Sequence, residues 1–291
     1  MNKYHLIGFV WLLAFLPLMA QNDSLNSLHS PENVLKFADY LFCQKDYLRA
    51  VTEYENLLEL PGINSDTLKF KIALGFSKMG QSKEAGERFN SLTFNNVFSD
   101  EARLELYKLK FFTNDFSSFR EMYVQKSLLP AKYIDPVRKL YYTSYLLDSA
   151  ALPGKEEFMR AFPGAAGSEI AKFYSRKRDP NYKSPLKAAI LSAIVPGLGK
   201  AYAGEWGDGL TSLIVTGVLG YVSYDNLRAH HSFRGYLFGG LVALFYAGNV
   251  YGSAAQAQIY NARIDFTFTS DLKLYLNDNN YFLPVYEYFC K

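Results

Sequence analysis

An all-α protein is predicted, a helical solenoid followed by a small helical membrane body, on three observations. From Pro31 the apolar residues recur at helical spacing with a self-similar period of about 35 residues, the range of helix-pair repeats. From Pro185 onward the chain carries only seven basic and seven acidic residues, and 12 of its 20 glycines fall between Pro185 and Gly252. Two apolar runs follow, Gly209 to Tyr224 and Phe233 to Ala255, with Arg234 their only charge. A net charge of +3 with 49% hydrophobic residues excludes a disordered tail, a collagen-like fibre and a strongly basic nucleic-acid binder, so no nucleic-acid partner is expected.

The first 20 residues read as a signal peptide. Met1 to His5 carries one Lys, and Leu6 to Ala20 is apolar up to Leu-Met-Ala before the polar Gln21-Asn22-Asp23-Ser24. A helix over that run rises about 22 Å, short of the ~30 Å hydrocarbon core. Cleavage is expected near Ala20. Leu18 is bulkier than the usual residue two before a cleavage site, which leaves an uncleaved anchor open. In both cases the chain after Gln21 starts outside the cytoplasm. Two cysteines, Cys43 and Cys290, supply no disulfide framework. Cys43 falls in a helical pattern as a small buried residue, and a bridge to Cys290 stays open.

Residues 21–183 form the repeat body. Ala38, Leu41, Asp46-Tyr47, Ala50, Tyr54 and Leu57 reappear 35 positions later as Ala73, Phe76, Gln81-Ser82, Ala85, Phe89 and Leu92. A small residue in each helix of a pair lets the backbones approach, and an aromatic one turn later fills the space against the next pair. Pro61-Gly62 closes the first unit and Met79-Gly80-Gln81 turns within the second. A third unit, shifted by 34, keeps Asn114-Asp115-Phe116 and Tyr123 but puts Tyr107 and Phe119 where the others have alanine, so its helices must pack differently. Further helices are expected over Ala131 to Ser149, Glu156 to Phe162 and Ser168 to Ser175. The body ends in the basic cluster Lys172, Arg176-Lys177-Arg178 and Lys183, a solvated helix end or a contact for lipid phosphates.

This pattern resembles the tetratricopeptide repeat (TPR). The resemblance implies a concave, partner-binding face made by the first helix of each pair, displaying Asp39, Phe42 and Cys43, then Phe70, Ser77 and Lys78, then Lys108 and Phe111. Phenylalanine with mixed charge suits a protein segment. The alternative is that Phe42, Phe70 and Phe111 fill the interior.

Residues 184–261 form the membrane body. Ser184-Pro185 caps and opens a helix that stops at Pro196-Gly197. Leu186 to Val195 reaches about 15 Å, half a bilayer core, and reads as re-entrant, interfacial or buried. Gly209 to Tyr224 and Phe233 to Ala255 read as two transmembrane helices. Gly235, Gly239, Ala243 and Ala247 recur every fourth residue, and Gly248 and Gly252 repeat the spacing, a stripe for close helix packing against Gly217 and Gly220. The intervening loop, Asp225 to Arg234, is expected in the cytoplasm because it carries two arginines. His230-His231 lacks a third ligand, and no metal is expected there. Asn249 is a polar group within the last helix.

The block Pro196, Gly197, Gly199, Tyr202, Gly204, Asp208 and Gly209 resembles TM2-like domains, and more closely a bacterial domain family of unknown function that joins a repeat region to this block. It departs from TM2-like domains where Pro196-Gly197 interrupts the first helix. The resemblance implies location and architecture only.

The tail, residues 262–291, alternates at Phe266 and Phe268, then Leu272, Leu274 and Leu276, which predicts a short β-hairpin before the aromatic segment Tyr281 to Phe289. No catalytic constellation is present: no nucleophile elbow, no His-Glu-x-x-His, no phosphate-cradling loop. Gly-Leu-Gly-Lys at Gly197 to Lys200 lacks a preceding strand and a following Ser or Thr. The expectation is a non-enzyme without cofactors: an adaptor in the inner membrane of a Gram-negative bacterium, its repeats in the periplasm binding a protein partner and its membrane body contacting lipids. The competing expectation is a membrane protein that senses or passes a solute or lipid between Pro196-Gly197 and Asn249, with the repeats as a regulatory cap.

Overall fold

The computed structural model describes residues 30–60, 65–126 and 128–284, all of whose regular elements are helical. The signal segment, the Pro61-Gly62 turn and Cys290 lie outside the described residues. Two compact units divide the chain: residues 30–148 with 280–284, and residues 149–279.

In the first unit seven helices pack each on its neighbour in chain order. They are α1 (Pro31–Cys43), α2 (Tyr47–Leu58), α3 (Ser65–Lys78), α4 (Ser82–Ser91), α5 (Ser99–Phe112), α6 (Phe116–Val124) and α7 (Ile134–Leu147). The 35-residue period is visible in the backbone. Lys45, Gly80 and Asn114 all adopt left-handed φ, of 65°, 77° and 59°. The following amides of Asp46, Gln81 and Asp115 donate back to the carbonyls of Leu41, Phe76 and Lys110 at 2.9, 3.0 and 3.0 Å. Each is the six-to-one closure of a helix end. The next helix then starts on a cap. Asp46 accepts from the Arg49 amide at 3.4 Å and Asp115 from the Ser118 amide at 3.3 Å, while Gln81 makes no side-chain cap bond. The Lys110 ammonium and the Ser118 bond hold the Asp115 carboxyl at about 2, below the usual carboxylate range.

Ala38, Ala50, Ala73 and Ala85 are fully buried where paired helices touch. Tyr107 and Phe119 take the corresponding places in the third pair, edge to face with centroids 6.1 Å apart, and the Tyr107 hydroxyl donates to the Met122 carbonyl at 2.8 Å. Substituting aromatics for alanines therefore replaces close backbone contact with ring packing. A 3-10 turn at Asn280–Phe282 rejoins this unit. Tyr281 packs edge-on against Phe111 and Phe112, with centroids 6.2 and 4.8 Å away, and Lys139 sits over Phe282. Cys43 is disulfide-bonded.

The second unit contains α8 (Lys155–Met159), α9 (Ala165–Arg178), α10 (Pro185–Ile194), α11 (Leu198–Tyr202), α12 (Trp206–Arg228) and α13 (Ser232–Asp278). Ser184 caps α10 by accepting from the Lys187 amide, with Pro185 in the first turn. The expected β-hairpin is absent: Phe266 to Leu276 lies within α13. No Gly or Pro falls between Ser253 and Asp278, so nothing stops the helix. Phe268, Leu272 and Leu276, four residues apart, are its buried face in this stretch, and Phe268 meets Phe173 of α9. The alternation of Leu272, Leu274 and Leu276 arises because Leu274 is an exposed leucine.

α13 runs 47 residues, about 70 Å, and is long and apolar enough to cross a membrane. It is the one such helix among the described residues. α12, at 23 residues, has the length but carries Asp208, Thr211, Ser212, Thr216, Ser223, Asp225 and Asn226, which dilute its apolarity.

Between Pro185 and Ala257 this unit is turned inside out, although Phe158, Ile170, Phe268, Leu272 and Leu276 are buried elsewhere in it. The interior of that stretch holds small and polar residues, Ala188, Ser192, Ala203, Ser223, Asn249, Ser253 and Ala257, while Phe233 (81% exposed) and Tyr251 (78%) face outward with Leu210, Leu213, Ile214 and Leu244. That distribution suits an apolar surrounding. Gly199 shows how tightly the interior closes: a Cβ there would overlap the Ala188 carbonyl oxygen and lie 2.8 Å from Ser192 Oγ, whereas at Gly248 it would meet nothing within 4 Å. Gly199→Ala is therefore expected to lower the melting temperature of the detergent-solubilised protein by several degrees, as overpacking of about 1–3 kcal/mol does. Gly248→Ala should leave it unchanged or raise it. Equal effects of the two would contradict this packing.

Candidate functional site

The repeat face expected from the sequence is only partly available. Phe70 and Phe111 are buried at 0% and 3% exposure, and Phe42 is buried beside Tyr47 and Tyr54. All three belong to the interior. Asp39 is spent within the protein: it accepts from Lys71 Nζ at 2.5 Å and from the Tyr54 hydroxyl at 2.6 Å. Lys71 is itself buried and Asp39 half-buried, and the pair ties α1 to α3. Burial, with the Asp39 carboxylate second, pushes the Tyr54 phenol up.

Lys78 is exposed and Ser77 half-buried at the end of α3. Lys108 of α5 pairs with Glu105 at 2.5 Å, Glu105 being almost wholly buried. Lost solvation and then the Lys108 charge hold the Lys78 ammonium below its usual range, with Glu105 opposing. Two cations and one buried carboxylate thus share one neighbourhood of the α3 and α5 face, an excess of positive charge. On α1, Phe37 and Tyr40 are exposed at 48% and 59%, with Phe37 about 160° around the helix from Asp39. These two aromatics escaped the sequence reading because the repeat register points to the buried Ala38 and Leu41 beside them.

In the second unit the glycine-rich block is a packing device. Gly197 caps α11 with φ 87°, and a Cβ there would overlap the Gly209 carbonyl oxygen; a Cβ on Gly209 would lie 2.6 Å from the Gly197 oxygen. Gly204, at φ 96°, turns the chain into α12. The Tyr202 hydroxyl accepts the Ser184 amide at 3.2 Å, and its ring lies 4.9 and 5.2 Å from the ammonium groups of Lys183 and Lys187. Pro196 and Gly197 line a small apolar pocket with Trp206, Leu210 and Leu213. Asp208 is exposed, and its carbonyl accepts from Ser212 at 2.9 Å.

The small-residue stripe runs along α13 but leaves the contact. A Cβ on Gly235 would overlap Leu227, one on Gly239 would lie 3.3 Å from Ser223 Oγ and one on Gly252 3.7 Å from Lys200 Cε, while Ala243, Ala247 and Gly248 are exposed. Gly217 and Gly220 meet nothing within 4 Å. Four-residue spacing overshoots a 3.6-residue turn by about 40° per step, so a strict stripe rotates away from its partner. The helix that packs behind it does so through Asn249, Ser253 and Ala257 instead.

Beside this seam, α12 and α13, with Lys200 of α11, flank an open cavity of about 390 Å³, lined by Lys200, Thr211, Ser212, Val215, Thr216, Leu244, Phe245, Gly248 and Asn249. The Lys200 ammonium donates to Ser212 Oγ at 3.0 Å and has no carboxylate partner among the described residues. Asn249 is 5% exposed, and neither its Oδ1 nor its Nδ2 has a hydrogen-bond partner. An unmade amide of this kind costs about 1–3 kcal/mol.

The basic cluster is partly used internally: Arg176 pairs with Asp271 at 2.8 Å and stacks near Phe173 and Phe268. Tyr182 donates to Asp265, which with burial pushes its phenol up to about 12. No group of three or more metal-ligating side chains occurs among the described residues.

No family model matches the chain, and comparison with curated proteins finds no match.

The Asp39–Lys71 pair generates a test of its structural role. Asp39→Ala removes the carboxylate paired with the buried Lys71 ammonium and is expected to destabilise the protein by about 2 kcal/mol or more. Asp39→Asn combined with Lys71→Met should recover most of that loss in chemical denaturation. A single substitution costing under about 1 kcal/mol would return Asp39 to the set of exposed recognition residues.

Proposed function

We propose that the chain is a membrane-anchored adaptor: its TPR-like repeats, exported to the periplasm, bind a protein segment, and the second unit fixes them in the inner membrane of a Gram-negative bacterium, within an envelope-protein assembly or biogenesis complex. The observation that carries this is the contrast between the two units. One buries a conventional apolar core between amphipathic helix pairs, and the other, over the stretch from Pro185 to Ala257, turns its leucines and aromatics outward. The Lys78 and Lys108 neighbourhood suits an acidic segment.

The return of the chain supports the topology. Residues 280–284 belong to the same compact unit as the repeats, with Tyr281 between Phe111 and Phe112. Chain that leaves that unit after Asp148 and re-enters it at Asn280 crosses a bilayer an even number of times. α12 and α13, antiparallel across the turn Ala229 to His231, would supply two crossings, and about 40 Å of α13 would stand clear of a ~30 Å core.

Two measurements test this reading. In-cell crosslinking with mass spectrometry should find envelope proteins on the intact chain that are lost from the doubly charge-reversed Lys78→Glu, Lys108→Glu variant. Their retention would remove this face as the binding surface. In His230→Cys, an impermeant maleimide should label the new thiol only after the inner membrane is permeabilised. Labelling from the periplasm in intact inner membranes would reverse or abolish the crossings.

A further inference from the structure

The cavity between α12 and α13 is explained neither by anchoring nor by the repeat face. It combines an ammonium without a carboxylate, an amide nine-tenths buried with both polar atoms unpartnered, and the hydroxyl-bearing Thr211 and Thr216, in a unit whose outer surface is apolar. We infer that this cavity binds the anionic headgroup of a membrane lipid. Lys200 supplies the charge for a phosphate. Asn249 offers one donor, Nδ2, and one acceptor, Oδ1, and so fits a headgroup carrying a hydroxyl beside its phosphate.

Depth and shape agree with that ligand. Lys200 lies just before Trp206, the first residue of α12, where a chain entering a bilayer passes through headgroups, and aromatic and lysine side chains settle at that level. Thr211 and Ser212 lie a turn or two further in, and the apolar wall of Val215, Leu244 and Phe245 continues toward the hydrocarbon. A headgroup at Lys200 would leave its acyl chains on that wall. At about 390 Å³ the cavity holds a headgroup and no more of a two-chain lipid, so the chains remain in the bilayer. Gly248 keeps the entrance open, since a Cβ there would stand in free space at the cavity edge. The site stands whether or not the repeat face captures a partner.

The test uses the full chain in neutral maltoside detergent, with native mass spectrometry reading the lipid retained from dioleoylphosphatidylglycerol or dioleoylphosphatidylcholine. The glycerol lipid should be retained at least roughly tenfold better than the choline lipid. Lys200→Gln and Gly248→Leu should each remove that preference while leaving the lipid-free melting temperature within a degree or two of the parent, and Lys200→Arg should keep it. Equal retention of the two lipids, or unchanged retention in Lys200→Gln, would overturn the site. Displacement of the glycerol lipid by excess inorganic phosphate would assign the cavity to a free anion and overturn the lipid assignment.

Discussion

A short chain of hydrogen bonds at the centre of the second unit holds three of its helices together. The Gly199 amide donates to Ser192 Oγ at 2.9 Å, Ser192 and Ser253 share a bond of 2.7 Å, and Ser253 Oγ donates to the Asn249 carbonyl at 2.8 Å. A hydroxyl has one proton, and that of Ser253 is already given to Asn249, so Ser192 donates to Ser253. Every donor in the chain then has one acceptor. The chain links α10, α11 and α13 at their closest approach, where Gly199 has no room for a side chain. In an apolar surrounding no water replaces a lost bond, which makes these serines costlier to remove than serines on a soluble surface.

The same seam accounts for the unit's other features. Small residues allow the helices to touch, touching displaces the larger apolar side chains to the outside, and the outside becomes fit for lipid. At the seam's ends polar clasps take over. Asn261 accepts the Lys183 amide at 2.8 Å and returns a bond from its own amide to the Lys183 carbonyl at 2.9 Å, fixing the entry of α10 against α13. Asn249 is the exception, because its backbone serves the chain while its side chain faces the cavity unpartnered. A polar group left unpaired in so economical a packing is where a ligand contributes what the protein does not.

The repeat unit works by the opposite arrangement. Its alanines let helices pair, its aromatics fill the gaps between pairs, and its charges are consumed at helix ends or buried between α1 and α3. What remains for recognition is a narrow set of exposed cations and aromatics. The two units thus differ in where their apolar side chains go, inward in the repeats and outward between Pro185 and Ala257.

Periodicity alone determined the helical class, the 35-residue repeat and its turns, because the left-handed positions at Lys45, Gly80 and Asn114 and the caps after them depend on neighbours a few residues away. Composition alone marked the change at Pro185, and the apolar run from Phe233 lies within the helix long and apolar enough to span a bilayer. Tertiary structure decided the rest. Alternating leucines at 272, 274 and 276 fit a strand locally, but the unbroken helix runs through them and packing buries Leu272 and Leu276. Phe42, Phe70 and Phe111 occupy surface positions by register but turn inward because neighbouring pairs offer them a core. The cavity at Lys200 draws on residues nearly 50 positions apart, Lys200 and Asn249, which no local pattern joins. Short-range rules govern what a segment becomes; which side chains meet is settled by packing between segments distant in the chain.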